Sequence, residues 1–215
     1  GGLFSTFINE TLKKGDYIEI MPPSGKFNVA VNPEKTKNYI AFAAGSGITP
    51  VISIIKSVLK SEPNSTFVLV YGNKTPEETI FHEELHDLQL KFVGRFFVQY
   101  VYSQAKAEHA LFGRIDKSTV NYVMNNKHKN LDFDKFYLCG PETMINLVSE
   151  VLKEKNIPDS AINFELFETS TQENTISESL EGHSKITIMV DDEETSFEMS
   201  QKQTILEAAL KHGID

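Results

Sequence analysis

Cysteine occurs once in these 215 residues, as Cys139, and that scarcity excludes an intrachain disulfide and any thiolate cluster built from these residues alone. A reducing, cytoplasmic setting is expected. There is no long uncharged apolar run, so no membrane-spanning helix is expected and the chain reads as soluble, with no membrane partner. The opening GGLFSTFINE has neither the basic n-region nor the apolar h-region of a secretory signal. An initiator Met is missing too, and a Gly-Gly start is read as that of an excised or truncated chain. Basic residues are outnumbered, 21 against 30 acids, and a net charge of -9 argues against a nucleic-acid surface. That acidity is a C-terminal property: residues 1–167 carry only -1, whereas residues 168–182 and 183–215 carry -4 each. What remains is ordinary globular composition, 40% hydrophobic, enough for one large domain or one medium domain plus a fragment of another.

Between residues 40 and 167 apolar runs alternate with amphipathic ones. IAFAA precedes Pro50 to Lys60, TFVLVYG precedes Pro76 to Leu90, RFFVQYVY follows, KFYLC precedes Glu142 to Asn156, and AINFELF closes the series. Uninterrupted apolar strands suit a sheet covered on both faces, because neither side meets water. The pattern predicts an α/β, doubly wound, five-stranded parallel sheet. Pro50 and Pro76 are expected at helix starts, each after a Thr able to cap. In residues 1–32, KKGDYIEIMPPSGKF reads as a short strand with turns, the end of an antiparallel module. The polar stretch Thr169 to Ser184 reads as a linker, since it has little to bury against its ordering entropy. KITIMV, an acidic turn at Asp191 to Glu194, TSFEM and TILEAALKHGI then form a ββα opening too short to close a core.

The most informative local feature is AAGSGITP, residues 43–50, between a strand and a helix. Its glycines let the backbone turn sharply and approach a ligand, and helix-start N–H groups favour a diphosphate. Packing alone also produces such turns. VYGNKT follows at the end of the next strand, where open parallel sheets bind ligands. There Lys74 would meet a ribose phosphate and Asn73 a hydroxyl, or the segment is a solvated turn with Thr75 as a cap. In YLCGPETMI, Cys139 looks into the same crevice or is a small buried hydrophobe.

Two further features compete. His82-Glu83-Glu84-Leu85-His86 is a literal HExxH, whose histidines one helical turn apart would share a zinc while Glu83 activates water. Against this, the helix is expected to bury Ile80, Phe81, Leu85 and Leu88, and no third ligand stands nearby, so no metal site is assigned. The other histidines, at positions 109, 128, 183 and 212, are expected to be solvated. At the start, Gly1, Gly2, Leu3, Phe4, Ser5 and Thr6 precede an amphipathic segment to Leu12 and offer another phosphate site or a frayed end.

Seven motifs, GGxxS, PPxGxF, GSGITP, YGNKT, GRID, LCGPETM and FELF, occur in one order over residues 1–167. That order resembles the ferredoxin-NADP reductase superfamily, and more closely the reductase components of bacterial oxygenases of the phenylacetyl-CoA epoxidase reductase type. Such proteins run FAD barrel, nicotinamide domain, then C-terminal plant-type ferredoxin, whose β-grasp opening residues 185–215 resemble. The resemblance implies residues 1–32 as the barrel's remnant, 33–168 as the NAD(P)-binding domain, 169–184 as the linker and 185–215 as an incomplete 2Fe-2S domain. It implies an oxidoreductase passing electrons from NAD(P)H through FAD to a 2Fe-2S centre and on to an oxygenase or similar acceptor.

Position by position, the resemblance places Gly45, Ser46, Gly47, Ile48, Thr49 and Pro50 around the dinucleotide, with Thr49 nearest the nicotinamide. Asn73, Lys74, Thr75 and Ser103 belong to the same cofactor site, as does Pro141. Cys139 and Gly140 would flank the hydride path. Gly2, Leu3 and Ser5 match the segment capping the flavin diphosphate, and Glu165 with Phe167 matches the edge near the isoalloxazine. Cys139, Thr49 and Glu165 are thus the catalytic candidates. The flavin-stacking Arg-x-Tyr-Ser segment and the Cys-rich cluster loop are absent from these residues, so they are expected to hold FAD poorly and no iron–sulfur centre. Gln104 stands where NADPH-preferring relatives carry Arg, which leaves Lys74 as the main 2′-phosphate candidate and NADPH against NADH open. The rivals are a zinc hydrolase using His82, Glu83 and His86, and a non-enzymatic nucleotide-binding module whose acidic segment engages a basic partner.

Overall fold

Six strands lie side by side and all run the same way: β1 (Asn38–Ala44), β2 (Thr66–Asn73), β3 (Phe96–Tyr102), β4 (Leu111–Phe112), β5 (Lys135–Cys139) and β6 (Ile162–Glu165), in the order β4-β3-β2-β1-β5-β6. The computed structural model describes residues 2–22, 24–167, 182–190, 193–200 and 203–213. The sheet is parallel and doubly wound, as expected, but it has six strands rather than five. The extra strand, β4, pairs Leu111 and Phe112 with Val101 and Tyr102. Two residues carry no readable periodicity, which is why pattern alone misses it.

Side chains on β1 alternate between two cores, as a pleated strand requires. Tyr39, Ala41 and Ala43 join Phe67, Leu69 and Tyr71 beneath α2 (Ile48–Ser61), while Ile40 and Phe42 join Val68, Val70 and Phe136 beneath α5 (Glu142–Glu154). Helix α2 buries Ile48, Val51, Ile52, Ile55, Val58 and Leu59, and α5 buries Met144, Ile145, Val148, Val151 and Leu152. Those spacings put each set on one stripe. Each fully buried large side chain contributes about 1.5–3 kcal/mol of apolar transfer, so the two cores dominate the domain's stability.

At the opposite end from the strand carboxyl termini, a wholly buried carboxylate organises the entry segment. Glu62 accepts hydrogen bonds from the Tyr39 hydroxyl (2.8 Å), the Ser65 hydroxyl (2.8 Å) and the Asn32 N–H (3.0 Å). Beside it, the Arg95 guanidinium donates to the carbonyls of Leu59, Glu62 and Ser65, satisfying the end of α2.

Both proline expectations need correction. A 3₁₀ turn at Gly45–Gly47 runs directly into α2, the Ile48 N–H donates to the Gly45 and Ser46 carbonyls, and Pro50 is the helix's third residue. Its missing N–H is still one the first turn leaves unpaired. Pro76 opens a turn instead of a helix. The Glu78 N–H reaches the Thr75 hydroxyl oxygen at 3.4 Å, Phe81 adopts a left-handed φ of 60°, and α3 spans only His82–Lys91. Ile80 and Phe81, expected inside, are 41% and 38% exposed, because that turn carries them off the helix face.

Residues 11–22 form no strand. Among the described residues no strand lies beside them to complete a ladder, and Tyr17, Ile20 and Met21 stand in solvent. Ahead of them α1 (Leu3–Glu10) realises the amphipathic segment, with none of its residues buried. Sequence reading passes over α4 (Lys117–Asn121), which continues as a π-helical turn at Tyr122–Lys127.

Most of the expected linker, residues 169–181, lies outside the described residues, as do Asp191 and Asp192 of the acidic turn. After it, β7 (His183–Val190) and β8 (Glu193–Ser200) pair antiparallel, and α6 (Ile205–Lys211) follows. Phe197, Met199, Ala208 and Ala209 form this unit's small core. Among the described residues no helix is long and apolar enough to cross a membrane.

Candidate functional site

The strand order reverses at β1, whose neighbours are β2 on one side and β5 on the other. At such a switch point the loops leaving two adjacent strands diverge, and a crevice opens outside the strand carboxyl ends. Here the divergence is held by close backbone contact. A Cβ built on Gly47 would lie 2.1 Å from the Cys139 carbonyl oxygen, and one on Gly140 would lie 3.2 Å from the Ala44 Cβ. The Tyr71 hydroxyl donates to the Gly45 carbonyl at 2.9 Å and fixes the bend from β2.

A cavity of about 570 Å³ occupies this rim on the α4–α5 side. Ala44 and Gly45 contribute the end of β1, Gly72, Asn73 and Lys74 the end of β2, and Ser103 the end of β3. Gly113, Arg114, Ile115 and Asp116 form a second wall, and Pro141, Thr143, Met144 and Leu147 the third. Gly45 sits at φ 53°, and the space beside its missing Cβ is open. Its lack of a side chain therefore leaves backbone facing the cavity.

Polar groups converge there. Asn73 contributes to the wall, but its Nδ2 is closed off from the cavity and lies toward the Tyr71 hydroxyl, on the strand face that residues 71 and 73 share. Lys74 Nζ stands 3.6 Å from Glu78 Oε2, and both side chains reach solvent. The Ser103 N–H donates to the Asn73 carbonyl at 3.0 Å, coupling the β2 and β3 ends. Asp116 caps α4: its Oδ1 accepts from the Thr119 N–H (2.7 Å), the Ser118 hydroxyl (2.7 Å) and the Thr119 hydroxyl (2.9 Å). Those bonds, the Thr119 N–H foremost, hold its carboxyl below the ordinary carboxylate range.

Of the residues singled out from sequence, Gly45, Asn73, Lys74, Ser103 and Pro141 meet in this cavity. The rest of the Gly-rich bend does not line it. Ser46 is exposed, Gly47 and Ile48 are buried, and Pro50 is half-buried in the first turn of α2. Thr49 turns its hydroxyl back to donate to the Ser46 carbonyl at 2.9 Å. Thr75 serves its own turn, accepting the Thr79 hydroxyl on its carbonyl. Cys139 is fully buried in the core under α2 and does not look into the crevice; burial first, and then the Glu165 charge, push its thiol up to about 11. Gly140 abuts Ala44 behind the cavity wall. Glu165 is half-buried at the β6 position paired with Cys139, and Phe167 is 50% exposed; neither lines the cavity. Gly2, Leu3 and Ser5 stand exposed at the start of α1, away from its lining, and Gly1 lies outside the described residues.

Sequence reading assigned no role to Glu78, Arg114, Asp116 or Thr143. Asp116-Lys117-Ser118-Thr119 carried a legible signal, because Asp before a short polar run is an N-cap pattern. Arg114 had none beyond its place in GRID.

The HExxH segment does not assemble a metal centre. His82 packs its ring 5.2 Å from that of Tyr100, beside a separate hollow of about 530 Å³ that also meets Glu83 but not His86. Among the described residues no three His, Cys, Asp or Glu side chains converge as a ligand set. Of the histidines expected in solvent, His128 departs: its Nε2 is buried without a partner, its ring lies 5.2 Å from Phe97, and burial lowers its pKa. His212, although exposed, stacks on Phe197 at 4.5 Å.

Residues 42–150 match the family model described as oxidoreductase NAD-binding domain. The whole chain aligns at 32% identity with one of the subunits of the 1,2-phenylacetyl-CoA epoxidase of Escherichia coli, covering 61% of that protein. It aligns at 27% with the ferredoxin reductase component of 3-ketosteroid-9-alpha-monooxygenase of Rhodococcus rhodochrous, again over its full length and 59% of the relative. The chain thus spans about three fifths of the curated relatives it matches. Among solved structures, the flavohem-like FAD/NAD-binding domain of a Vibrio cholerae nitric oxide dioxygenase superposes with a TM-score of 0.64 at 25% identity, covering 77% of this chain and 65% of that one. Ferredoxin-NADP+ reductase of Plasmodium falciparum with 2′P-AMP shares the fold at a TM-score of 0.61 and 23% identity, over 77% of this chain and 66% of that one. With its parallel sheet, its switch-point cavity and the matched residues in agreement, this chain belongs to the oxidoreductase NAD-binding domain family.

Proposed function

We propose that this chain forms the nicotinamide-nucleotide portion of a flavin-dependent reductase, which takes electrons from NAD(P)H through FAD toward a 2Fe-2S centre and an oxygenase-type acceptor. The observation that carries the reading is the switch-point cavity within the matched region, where the ends of β1, β2 and β3 bring Gly45, Lys74 and Ser103 together with Arg114. The two curated relatives, one belonging to an epoxidase and the other a ferredoxin reductase component, support the wider electron-transfer role. The division into 1–32, 33–168, 169–184 and 185–215 is part of the same proposal, as is a cytoplasmic location.

The residues present fit a nicotinamide nucleotide. Gly45 presents backbone without a Cβ, and Lys74 and Arg114 bring positive charge to a site of about 570 Å³. Lys74 and Arg114 would bind phosphate oxygens, and Ile115, Met144 and Leu147 would exclude water from the apolar wall. When bound, the nicotinamide supplies the hydride chemistry. The bend from Gly45 to Pro50 orients that end through its backbone, with Thr49 nearest, while Cys139 supports the bend from behind.

For FAD, Gly2, Leu3 and Ser5 on an exposed helix enclose no site by themselves, so no step is assigned through them. Nor do these residues fit a 2Fe-2S cluster, which takes four thiolates where this chain has one buried cysteine.

Titration of the chain with NADPH and NADH, followed by amide exchange, tests the reading. Slowed exchange at Gly45, Asn73, Lys74, Arg114 and Ile115 is the expected result. No protection with either nucleotide would overturn it.

A further inference from the structure

Tyr71 is fully buried on β2, in the core beneath α2, and does not line the cavity. Its hydroxyl nevertheless stands where two parts of the cavity's rim are tied down. It donates to the Gly45 carbonyl at 2.9 Å, on the bend that leaves β1, and faces the Ile80 carbonyl at 3.4 Å, on the turn that carries Glu78. The Asn73 amide lies toward the same oxygen. Inside the bend the other polar bonds are local: the Ile48 N–H is shared between the Gly45 and Ser46 carbonyls, and the Thr49 hydroxyl serves Ser46. Among the described residues, the side-chain anchor that reaches the Gly45 carbonyl from another strand is Tyr71. Such an anchor matters at this position, because a glycine at φ 53° rotates to other backbone conformations at little steric cost and the space beside it is open.

We infer that Tyr71 is a positioning residue for the nucleotide: by holding the Gly45 carbonyl, it sets the backbone of the bend in its binding orientation before a ligand arrives. This rests on the nucleotide reading above and deepens it. The Gly45–Ser46 peptide is trans, so the Ser46 N–H points opposite to the Gly45 carbonyl, away from Tyr71 and from the core beneath α2. One hydroxyl bond on one side of the peptide plane thereby fixes what the other side presents. Released from Tyr71, that plane rotates more freely, and the bend must be reordered at each binding event. Affinity falls although no ligand contact is removed. Because Tyr71 acts through the backbone of the bend and touches neither coenzyme, NADH and NADPH should weaken alike.

The test uses the whole chain, with NADH and NADPH as probes, and variants that delete the same kind of buried group at opposite ends of the sheet. Tyr71→Phe removes the hydroxyl at the cavity rim, and Tyr39→Phe removes the one that donates to Glu62 at 2.8 Å on the far rim. Both keep an aromatic ring in the core beneath α2, and circular dichroism with urea unfolding measures what each costs in stability. Tyr71→Phe should weaken both nucleotides about tenfold, the upper worth of one hydrogen bond. In the unliganded chain it should also speed amide exchange at Ile48, in the bend, and at His82, in the turn. Tyr39→Phe should leave both affinities within about twofold, which a merely structural role for Tyr71 would also require of Tyr71→Phe. Tyr71→4-aminophenylalanine keeps a donor at the ring's end and should bind within about threefold of the unaltered chain. Three results would each overturn the assignment while leaving nucleotide binding intact: affinities within about twofold in Tyr71→Phe, an equal loss in Tyr39→Phe, or a loss of about tenfold in Tyr71→4-aminophenylalanine. Failure of the unaltered chain to bind either NADH or NADPH would instead overturn the underlying reading.

Discussion

A Cβ on Gly47 would stand 2.1 Å from the carbonyl oxygen of Cys139 and 2.8 Å from the Gly140 nitrogen. Backbone lies on both sides of that contact, so no side chain can swing away to relieve it. Gly47→Ala should therefore force the β1 and β5 rims apart, costing about 1–3 kcal/mol or more in urea unfolding. Nucleotide affinity should fall with it, although Gly47 itself does not line the cavity.

Cys139 makes a prediction about alkaline pH. Its folded thiol is raised from an ordinary 9.0 to about 11, so the folded state keeps its proton where the unfolded state loses it. The resulting stabilisation is complete below about pH 9 and disappears as pH rises through about 11. Urea midpoints measured from pH 8 to pH 11 should decline, and the decline should be shallower in Cys139→Ala. Iodoacetamide at pH 8 should modify the thiol only after unfolding.

Asp116 has the opposite sign. Its hydrogen bonds keep it ionised below the usual carboxylate range, so its contribution is present above the unfolded pKa near 3.8 and is lost as pH falls through the lower folded value. Asp116→Ala should cost about 1 kcal/mol at pH 7, the usual worth of an N-cap, and the difference from the unaltered chain should narrow at low pH. Thermal melts at pH 7 and pH 3 check both parts.

Glu62 is buried at 0% exposure and satisfies three donors from three segments. Glu62→Ala strands the Tyr39 hydroxyl and the Asn32 N–H together, while the Ser65 hydroxyl keeps the Lys35 carbonyl at 3.3 Å. A loss of roughly 3 kcal/mol or more is expected. Nucleotide affinity should be unchanged in the protein that remains folded, because Glu62 lies at the rim opposite the cavity. Denaturant unfolding and a parallel titration separate the two effects.

The doubly wound sheet was legible because both of its faces are covered, which writes long apolar runs such as Phe67 to Val70 into the chain. The switch-point bend was legible for a related reason. Gly45 and Gly47 stand between such a run and an amphipathic stretch, and only the division of labour between them was hidden: one faces the cavity, the other packs on Cys139. Arg114 and Glu78 lie outside any periodic element, and loop charges meet in one wall only when distant strand ends bring them together. Cys139 shows the converse case, a residue type rich in chemistry whose place in the strand puts it in the core. The helix boundaries failed where local turns took precedence: the 3₁₀ turn before Ile48, and the left-handed Phe81 before His82.

Uniform strand direction has one more effect. The chain enters β1 at the rim of Glu62 and leaves β6 at the rim of the cavity, roughly 20 Å away along the strands at about 3.3 Å per residue. It leaves two strands from β1, a lateral offset of about 10 Å. Any module tethered beyond Phe167 thus sets out from the same rim as the cavity's mouth, a lateral step of about two strands from β1.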